Sequence, residues 1–362
     1  MKRRITLLAV LAATVITLTG CSSTATSGTA TSGKDPKITI AFLMPCSTCA
    51  SRFETKDKPY FIEAVHKLDP NAKVIANNAQ GSAPTQLTQA ETALTDGANV
   101  IVISPMTAAA GASIVAKAKA DKAKVVAYDG GIAGAVPDAY ISFQNEKVGE
   151  LQGQYLLDNL KEGSTVAMIN GDITSAPGIA FKQGAHKILD PAFNSGRLKL
   201  GYEADTPGFD PATGQKEIEQ ALTKVANNVQ GVLVPNDGLA APVIAALTAQ
   251  GLNGKVLVTG QDATDTGLTQ ILEGNQSMTV YKSIRDEATA AAKVAVDLAE
   301  GNAAAANSVL TTKTNNGTGE VPSLLLDPVA VDVKNIASTV IKDNFTSKAK
   351  ICIGVASAKC NF

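Results

Sequence analysis

Four side chains sit just beyond the ends of apolar runs and are the first candidates for chemistry. Asp129 closes KVVAYD (124–129), Asn236 closes GVLVPN (231–236) with Asp237 beside it, and Asp262 follows KVLVTG (255–260) by two residues. Carboxylates accept hydrogen bonds and an amide both donates and accepts, so such a set suits a polar, hydrogen-bonding ligand. The competing reading is that each Asp caps the helix that follows it. For Asp237 the two readings stand level. Asp129 is followed by Gly130-Gly131, which makes it a turn residue or a ligand contact rather than a cap.

A second chemistry resides in sulfur. Setting Cys21 aside, Cys46, Cys49, Cys352 and Cys360 remain. Four cysteines allow three pairings, and proximity favours 46–49 and 352–360. The CxxC spacing also raises the alternative of a thiol oxidoreductase. Against it, Cys46 follows directly on a strand and Pro45, with no other sign of a thioredoxin-like unit. A four-cysteine zinc site would need closer spacing in the second pair. The two histidines, His66 and His186, lie in helical contexts and lack the partners of a nucleophilic triad. No GxGxxG opening a helix and no GxxxxGK[ST] occurs, so nothing points to a nucleotide, a cofactor or a metal, and the CxxC alternative aside no enzyme is expected.

Elements must bring the polar residues together. Strand-like runs occur at 38–44, 73–78, 99–104, 124–129 and 139–143. A second set spans 165–170, 199–204, 231–236, 255–260, 277–282 and 322–332. Many are continuously apolar, as parallel strands covered on both faces are. Amphipathic stretches fill the gaps, among them 84–97, 109–122, 145–160 and 241–252. Such alternation predicts an α/β fold with parallel sheets. The two halves also resemble each other: NVIVISP, a helix and KVVAYDGG in one, GVLVPND, a helix and KVLVTGQD in the other. Ligands of open α/β sheets bind at the strands' carboxyl ends, so two facing sheets would converge Asp129, Asn236, Asp237 and Asp262 on a shared cleft.

The amino terminus reads as an export signal: Lys2, Arg3 and Arg4, then a short apolar core over 5–18. It ends Leu18-Thr19-Gly20-Cys21, which looks like a lipoprotein cleavage box with Cys21 lipidated. Residues 22–36 are small and polar, a flexible tether. The expected location is therefore the outer face of the cell membrane, held by a lipid anchor alone. A net charge of −1 with interspersed signs shows no basic patch, which argues against nucleic acid as a partner. A hydrophobic content of 45% is enough for sizeable cores over about two domains.

Several stretches carry a more specific likeness. AYISFQNEKVGELQ (139–152), PNDGLAAPVIAALTAQGLNGKVLVTGQDA (235–263), SMTVYKSIRDEA (277–288) and RFETKDKPYF (52–61) resemble the type I periplasmic sugar-binding proteins, the xylose-binding branch above all. The likeness runs from Lys37 to about Thr346, and ICIGVASAKC (351–360) looks like an extension carried by some Gram-positive relatives. The resemblance implies two doubly wound parallel-sheet lobes joined by a three-stranded hinge that closes around one sugar. Lobe one would be 36–143 plus about 263–320, lobe two 144–262 plus about 321–345, with 346–362 as an extension. It implies a monomer that delivers sugar to an ABC permease and its ATPase, or a sensor subunit reporting to a membrane receptor. By position, Arg52 would donate to sugar hydroxyls, Phe53 and Phe209 would stack on the ring, Asp129, Asn236 and Asp262 would bond hydroxyls, and Lys282 would donate. Three positions depart from the family: Gly130, Ser175 and Pro177 replace charged or strongly polar residues. This implies a larger, substituted or less hydroxylated sugar than xylose, fitted into space that Gly130 vacates. A Cys46–Cys49 bridge would stiffen the loop that carries Arg52 and Phe53.

Overall fold

A computed structural model describes residues 38–362; the expected signal segment, Cys21 and the tether over 22–36 lie outside the described residues. Strands β1 (Thr39–Met44), β2 (Lys73–Asn78), β3 (Val100–Ile103) and β4 (Lys124–Tyr128) alternate with helices, as their apolar runs predict, and β5 (Ala139–Phe143) follows β4 through a loop. They are followed by β6 (Ser164–Asn170), β7 (Leu198–Asp205), β8 (Gly231–Leu233), β9 (Leu257–Val258) and β10 (Thr279–Tyr281). Last come β11 (Thr312–Asn315), β12 (Glu320–Leu326) and β13 (Val329–Val331). The first sheet runs β11-β12-β5-β4-β3-β1-β2 and the second β7-β6-β8-β9. Neighbours are parallel apart from β11 against β12.

Successive side chains of a strand point to opposite faces, so each buried strand feeds two cores. On one face of the first sheet, Phe42, Val102 and Tyr128 meet Phe61 and Val65 of helix Lys58–Leu68 and Ala291 and Ala295 of helix Ile284–Ala299. On the other face, Leu43, Ile101 and Val125 meet Ala90 and Ile114 of the two following helices. The second sheet repeats the scheme, with Ile169 and Val232 on one side and Val166 and Met168 on the other. The result is a pair of α/β lobes.

Strand pairing moves two of the expected lobe boundaries. The segment 263–281 belongs with the second lobe: β10 hydrogen-bonds to the strand leaving β9, through Asp262 N to Val280 O at 2.9 Å and Val280 N to Gly260 O at 3.0 Å. Residues 320–326, expected in the second lobe, form β12, which lies parallel to β5 in the first sheet. The chain then returns through β13, antiparallel to β10. It therefore passes between the lobes after β5, after β10 and after β12. β11 has no counterpart among the sequence-derived strands, because TKTN is polar and mostly exposed.

The carboxyl-terminal extension packs on helix Asp265–Glu273. Ile351 and Cys360 are buried with Leu268, Ile271 and Leu272, Cys352 and Cys360 are bonded to each other, and Lys359 Nζ donates to Glu273 O at 2.7 Å. Among the described residues no helix is long and apolar enough to cross a membrane.

Candidate functional site

In each sheet the chain winds outward in both directions from a central pair, β1/β3 in the first and β6/β8 in the second. At such a switch point the loops leave on opposite sides and open a crevice at the strands' carboxyl ends. The two crevices face each other in one cleft. The loop after β1 brings Cys46, Cys49, Arg52 and Phe53 to it, and the ends of β3 and β4 bring Ser104 and Asp129. From the second lobe come Asp172 after β6, Phe209 after β7 and Asn236 after β8, and Asp262 and Lys282 lie at the crossing. All seven residues assigned to ligand binding by position thus line one cavity.

Arg52 is the electrostatic centre. It is 4% exposed and donates to Asp57 through Nε and Nη2, at 3.2 and 3.0 Å, and to Glu287 through Nη2 at 3.1 Å. The same guanidinium lies 3.2 Å from Asp129 Oδ1 and 3.8 Å from Asp262 Oδ1. Tyr128 locks the arrangement from behind by donating to Asp57 at 2.6 Å. Burial works against the Arg52 charge, but Asp129, Asp57, Glu287 and Asp262 outweigh it and hold its pKa well above the ordinary value. Lys282 Nζ sits 3.4 Å from Asp129 Oδ1 and 4.0 Å from Asp262 Oδ1, and 5.1 Å from the Phe143 ring centroid.

Carboxylates in this cluster divide by environment. Burial opposes the Asp129 charge, yet Arg52 and Lys282 win and lower its pKa. Asp262 feels the same cations at longer range, and burial raises it. Glu287 is raised well above the usual range by burial and by Asp129, and its Oε1 has no hydrogen-bond partner. Arg52 and Lys282 are matched by Asp57, Asp129, Asp262 and Glu287, so no cation in the cleft is left uncompensated. The Oδ2 atoms of Asp129 and Asp262 take part in none of these pairs.

Backbone conformation at the cleft is unusual. Asp129, Phe209 and Asp262 have φ of 57°, 51° and 88°, a region that costs a non-glycine residue of order 1–3 kcal/mol. The surroundings fix Asp129: Ser142 Oγ and Tyr140 OH donate to its carbonyl at 2.7 and 3.1 Å. Phe209 ends the short turn Pro207–Phe209, and its ring lies against Gly171, where a Cβ would come within 2.2 Å of it. Asp172 Oδ2 accepts from Gly208 N at 2.7 Å and holds that turn. Phe53 is 5% exposed and belongs to the first lobe's core as well as to the cleft wall, with the Arg52 guanidinium 5.1 Å above its ring.

Asn236 performs two tasks. Its Oδ1 caps helix Asp237–Ala249 by accepting from Leu239 N at 2.9 Å, and its Nδ2 reaches across the cleft to Cys49 O at 3.4 Å. Because Asn236 is the cap, Asp237 is free of that role, and it does not line the cleft. The pattern that sent it there is corrected: its carboxylate is buried, accepting from Thr264 N and Oγ1 at 2.8 and 3.0 Å and from Gln276 and Thr279 at 2.8 and 2.9 Å. Burial pushes its pKa up to about 7. Cys46 and Cys49 are bonded to each other in the cleft wall. The departures Gly130, Ser175 and Pro177 line the cleft too, but no space is vacated beside Gly130. A Cβ there would meet Pro105 Cδ at 3.0 Å.

Residues that the sequence reading missed include Ser104, Phe181 and Gln261 in the wall and Asp57 and Glu287 behind Arg52. Ser104 and Gln261 stand at strand ends, the signal that singled out Asp129. Gln261 is 3% exposed, with its Oε1 buried and unpartnered.

The family described as "Periplasmic binding protein domain" matches residues 40–303. The D-xylose-binding periplasmic protein of Escherichia coli (strain K12) is 38% identical over 336 residues, 93% of this chain and 98% of its own length. The multiple sugar-binding periplasmic protein SbpA of Azospirillum brasilense is 32% identical, over 75% of this chain and 80% of its own length. A carbohydrate transporter solute binding protein from Chloroflexus aurantiacus, solved in complex with D-glucose, superposes with a TM-score of 0.78 at 25% identity. That alignment covers 86% of this chain and 97% of the other.

Proposed function

The chain belongs to the periplasmic binding protein domain family, and on that footing we propose that it captures a neutral sugar by hinge closure and hands it to an ABC importer. It is a binding protein, not an enzyme. The observation that carries this reading is the compensated charge of the cleft. Arg52 and Lys282 are held against Asp57, Asp129 and Asp262, so an anionic ligand meets no free cation, whereas hydroxyls can both accept from the cations and donate to the carboxylates. Phe53 and Phe209 supply ring faces for the apolar C–H face of a sugar. Three strand crossings give a hinge of the kind that periplasmic binding proteins use. The contact from Asn236 to Cys49 O is one the lobes would make on closing. Lipid anchoring through Cys21, outside the membrane, completes the proposal, with the permease as the docking partner of a monomer. The departures at Gly130, Ser175 and Pro177 favour a ligand other than xylose.

Thermal unfolding against a panel of pentoses, hexoses, substituted sugars, polyols and sugar acids tests it. A ligand that binds only the folded state adds about 2.7 kcal/mol at a hundredfold excess over its Kd. A shift with one class of neutral sugar is the expected result. Shifts confined to sugar acids would overturn the charge argument, and xylose as the tightest ligand would overturn the reading of the three departures.

A further inference from the structure

Behind the cleft, the carboxyl-terminal segment buries two consecutive residues, Phe345 and Thr346. Each of the three segments that they touch carries a cleft residue close by. Lys56 Nζ donates to Phe345 O and lies 4.5 Å from the Phe345 ring centroid. Lys56 belongs to the helical turn Phe53–Asp57, whose ends are the cleft-wall Phe53 and the Asp57 that grips Arg52. The Phe345 ring also packs edge-on against Tyr281, at 5.0 Å, and Tyr281 immediately precedes Lys282. Thr346 Oγ1 donates to Asp265 Oδ1, and Asp265 follows Asp262 by one short loop. One dipeptide thus meets the supports of Arg52, Phe53, Lys282 and Asp262.

The second lobe holds this dipeptide. Before it, Ile336 and Val340 are buried in the same core as Phe345; after it, Ile351 and Cys360 are buried there with Leu268, Ile271 and Leu272 of helix Asp265–Glu273. The bond between Cys352 and Cys360 and the contact of Lys359 with Glu273 O fasten the chain end along that helix. Lys56, by contrast, comes from the first lobe. Its bond to Phe345 O therefore joins the lobes outside the ligand cavity, as Asn236 to Cys49 O joins them within it. Lys56 is half-buried, and burial lowers its pKa. A partly desolvated ammonium depends on the hydrogen bonds left to it, and here one is supplied by a backbone carbonyl of the other lobe.

We propose that Lys56 is a positioning residue: its bond to Phe345 O latches the first lobe's binding loop to the stapled carboxyl-terminal segment and favours the closed cleft without touching the ligand. This rests on the sugar-capture reading. A hydrogen bond weakens steeply when it is stretched or bent, so opening of the lobes gives this one up and closure restores it. A contact made only in the closed arrangement raises the fraction of molecules competent to hold ligand, and apparent affinity rises with that fraction.

Three measurements on the full-length protein test the proposal: calorimetric titration with D-xylose, D-glucose and myo-inositol, urea unfolding, and small-angle scattering without ligand. Lys56→Met keeps the stem over Phe345 and removes the donor, whereas Lys56→Arg keeps a donor. Lys56→Met is expected to weaken whichever of these ligands binds the unaltered protein by about three- to tenfold. Its ligand-free radius of gyration should rise while its urea midpoint stays nearly unchanged, and Lys56→Arg should bind within about twofold of the unaltered protein. Removing the staple with Cys352→Ser and Cys360→Ser acts on the same latch, so it should weaken binding alone but add nothing to Lys56→Met. Lys56→Leu replaces Lys56→Met should the latter not fold. The proposal is overturned if the folded variant lacking the donor binds as the unaltered protein does, if Lys56→Arg loses as much, or if the losses from latch and staple add. Should none of the three ligands bind the unaltered protein, the capture reading loses its support. The scattering comparison then still decides the latch, because an unchanged radius of gyration overturns it.

Discussion

The two walls of the cleft are built in different ways. On the first lobe's side the ligand-facing groups are charged and braced from behind: Arg52 is gripped by Asp57 and Glu287, Asp57 by Tyr128, and the Asp129 carbonyl by Tyr140 and Ser142. The second lobe offers the half-buried Phe209 at positive φ on a three-residue turn, and Asn236, whose other task is to cap a helix. A braced, desolvated wall has already met the ordering cost of its side chains. The other wall is lighter and easier to rearrange. The difference teaches that affinity should reside mainly on the first side and shape selection on the second.

Arg52→Ala is expected to have the largest effect. It removes the donor fork and strands Asp57 and Glu287, so ligand affinity should fall at least about 100-fold, or about 2.7 kcal/mol. Stability should drop by about 3–5 kcal/mol, as when one partner of a buried pair is lost. Calorimetric titration and urea unfolding read the two quantities. Phe209→Ala is expected to weaken binding about tenfold while lowering stability by about 1 kcal/mol, because the ring is half-buried and serves mainly as a stacking face. Should Phe209→Ala cost more affinity than Arg52→Ala, the contrast between the walls is reversed. The smallest effect on ligand affinity is expected at Asp237, which faces neither wall. Its folded-state pKa of about 7 lies above the ordinary 3.8, so its contribution to stability is present below about pH 4 and is lost as pH rises through 7. Between pH 4 and 8 the unfolding temperature of the unaltered protein should therefore fall more steeply than that of Asp237→Asn, and parallel slopes would refute this.

Much of the fold was legible because many buried parallel strands are written as continuous apolar runs, and ten of the thirteen strands coincide with strand-like segments taken singly. PSLLLDPVAVD was read as one strand but holds two, β12 and β13, and the crossing between lobes falls at Asp327-Pro328 within it. The boundary at 262/263 failed for a related reason: the helix Asp265–Glu273 carries no mark of which lobe it packs on. At the site, strand-end polarity found Asp129, Asn236 and Asp262 unaided. It also selected Asp237, because a cap and a buried cross-link look alike one residue apart. Arg52, Phe53, Phe209 and Lys282 came from family likeness. Nothing in the helical pattern marks Asp57 or Glu287, whose importance comes only from facing Arg52.

β12 lies between β5 and β11 in the first sheet, and this sets an order of events during synthesis. A chain made from its amino terminus completes β6 to β9 of the second lobe well before residue 326 exists. Until then the wholly buried strand Ala139–Phe143 has one edge bare, an unpaired apolar edge of the kind that recruits other chains. The lobe that begins the sequence thus stays open until residue 326 is made, and a chaperone that shields the β5 edge would act in that interval.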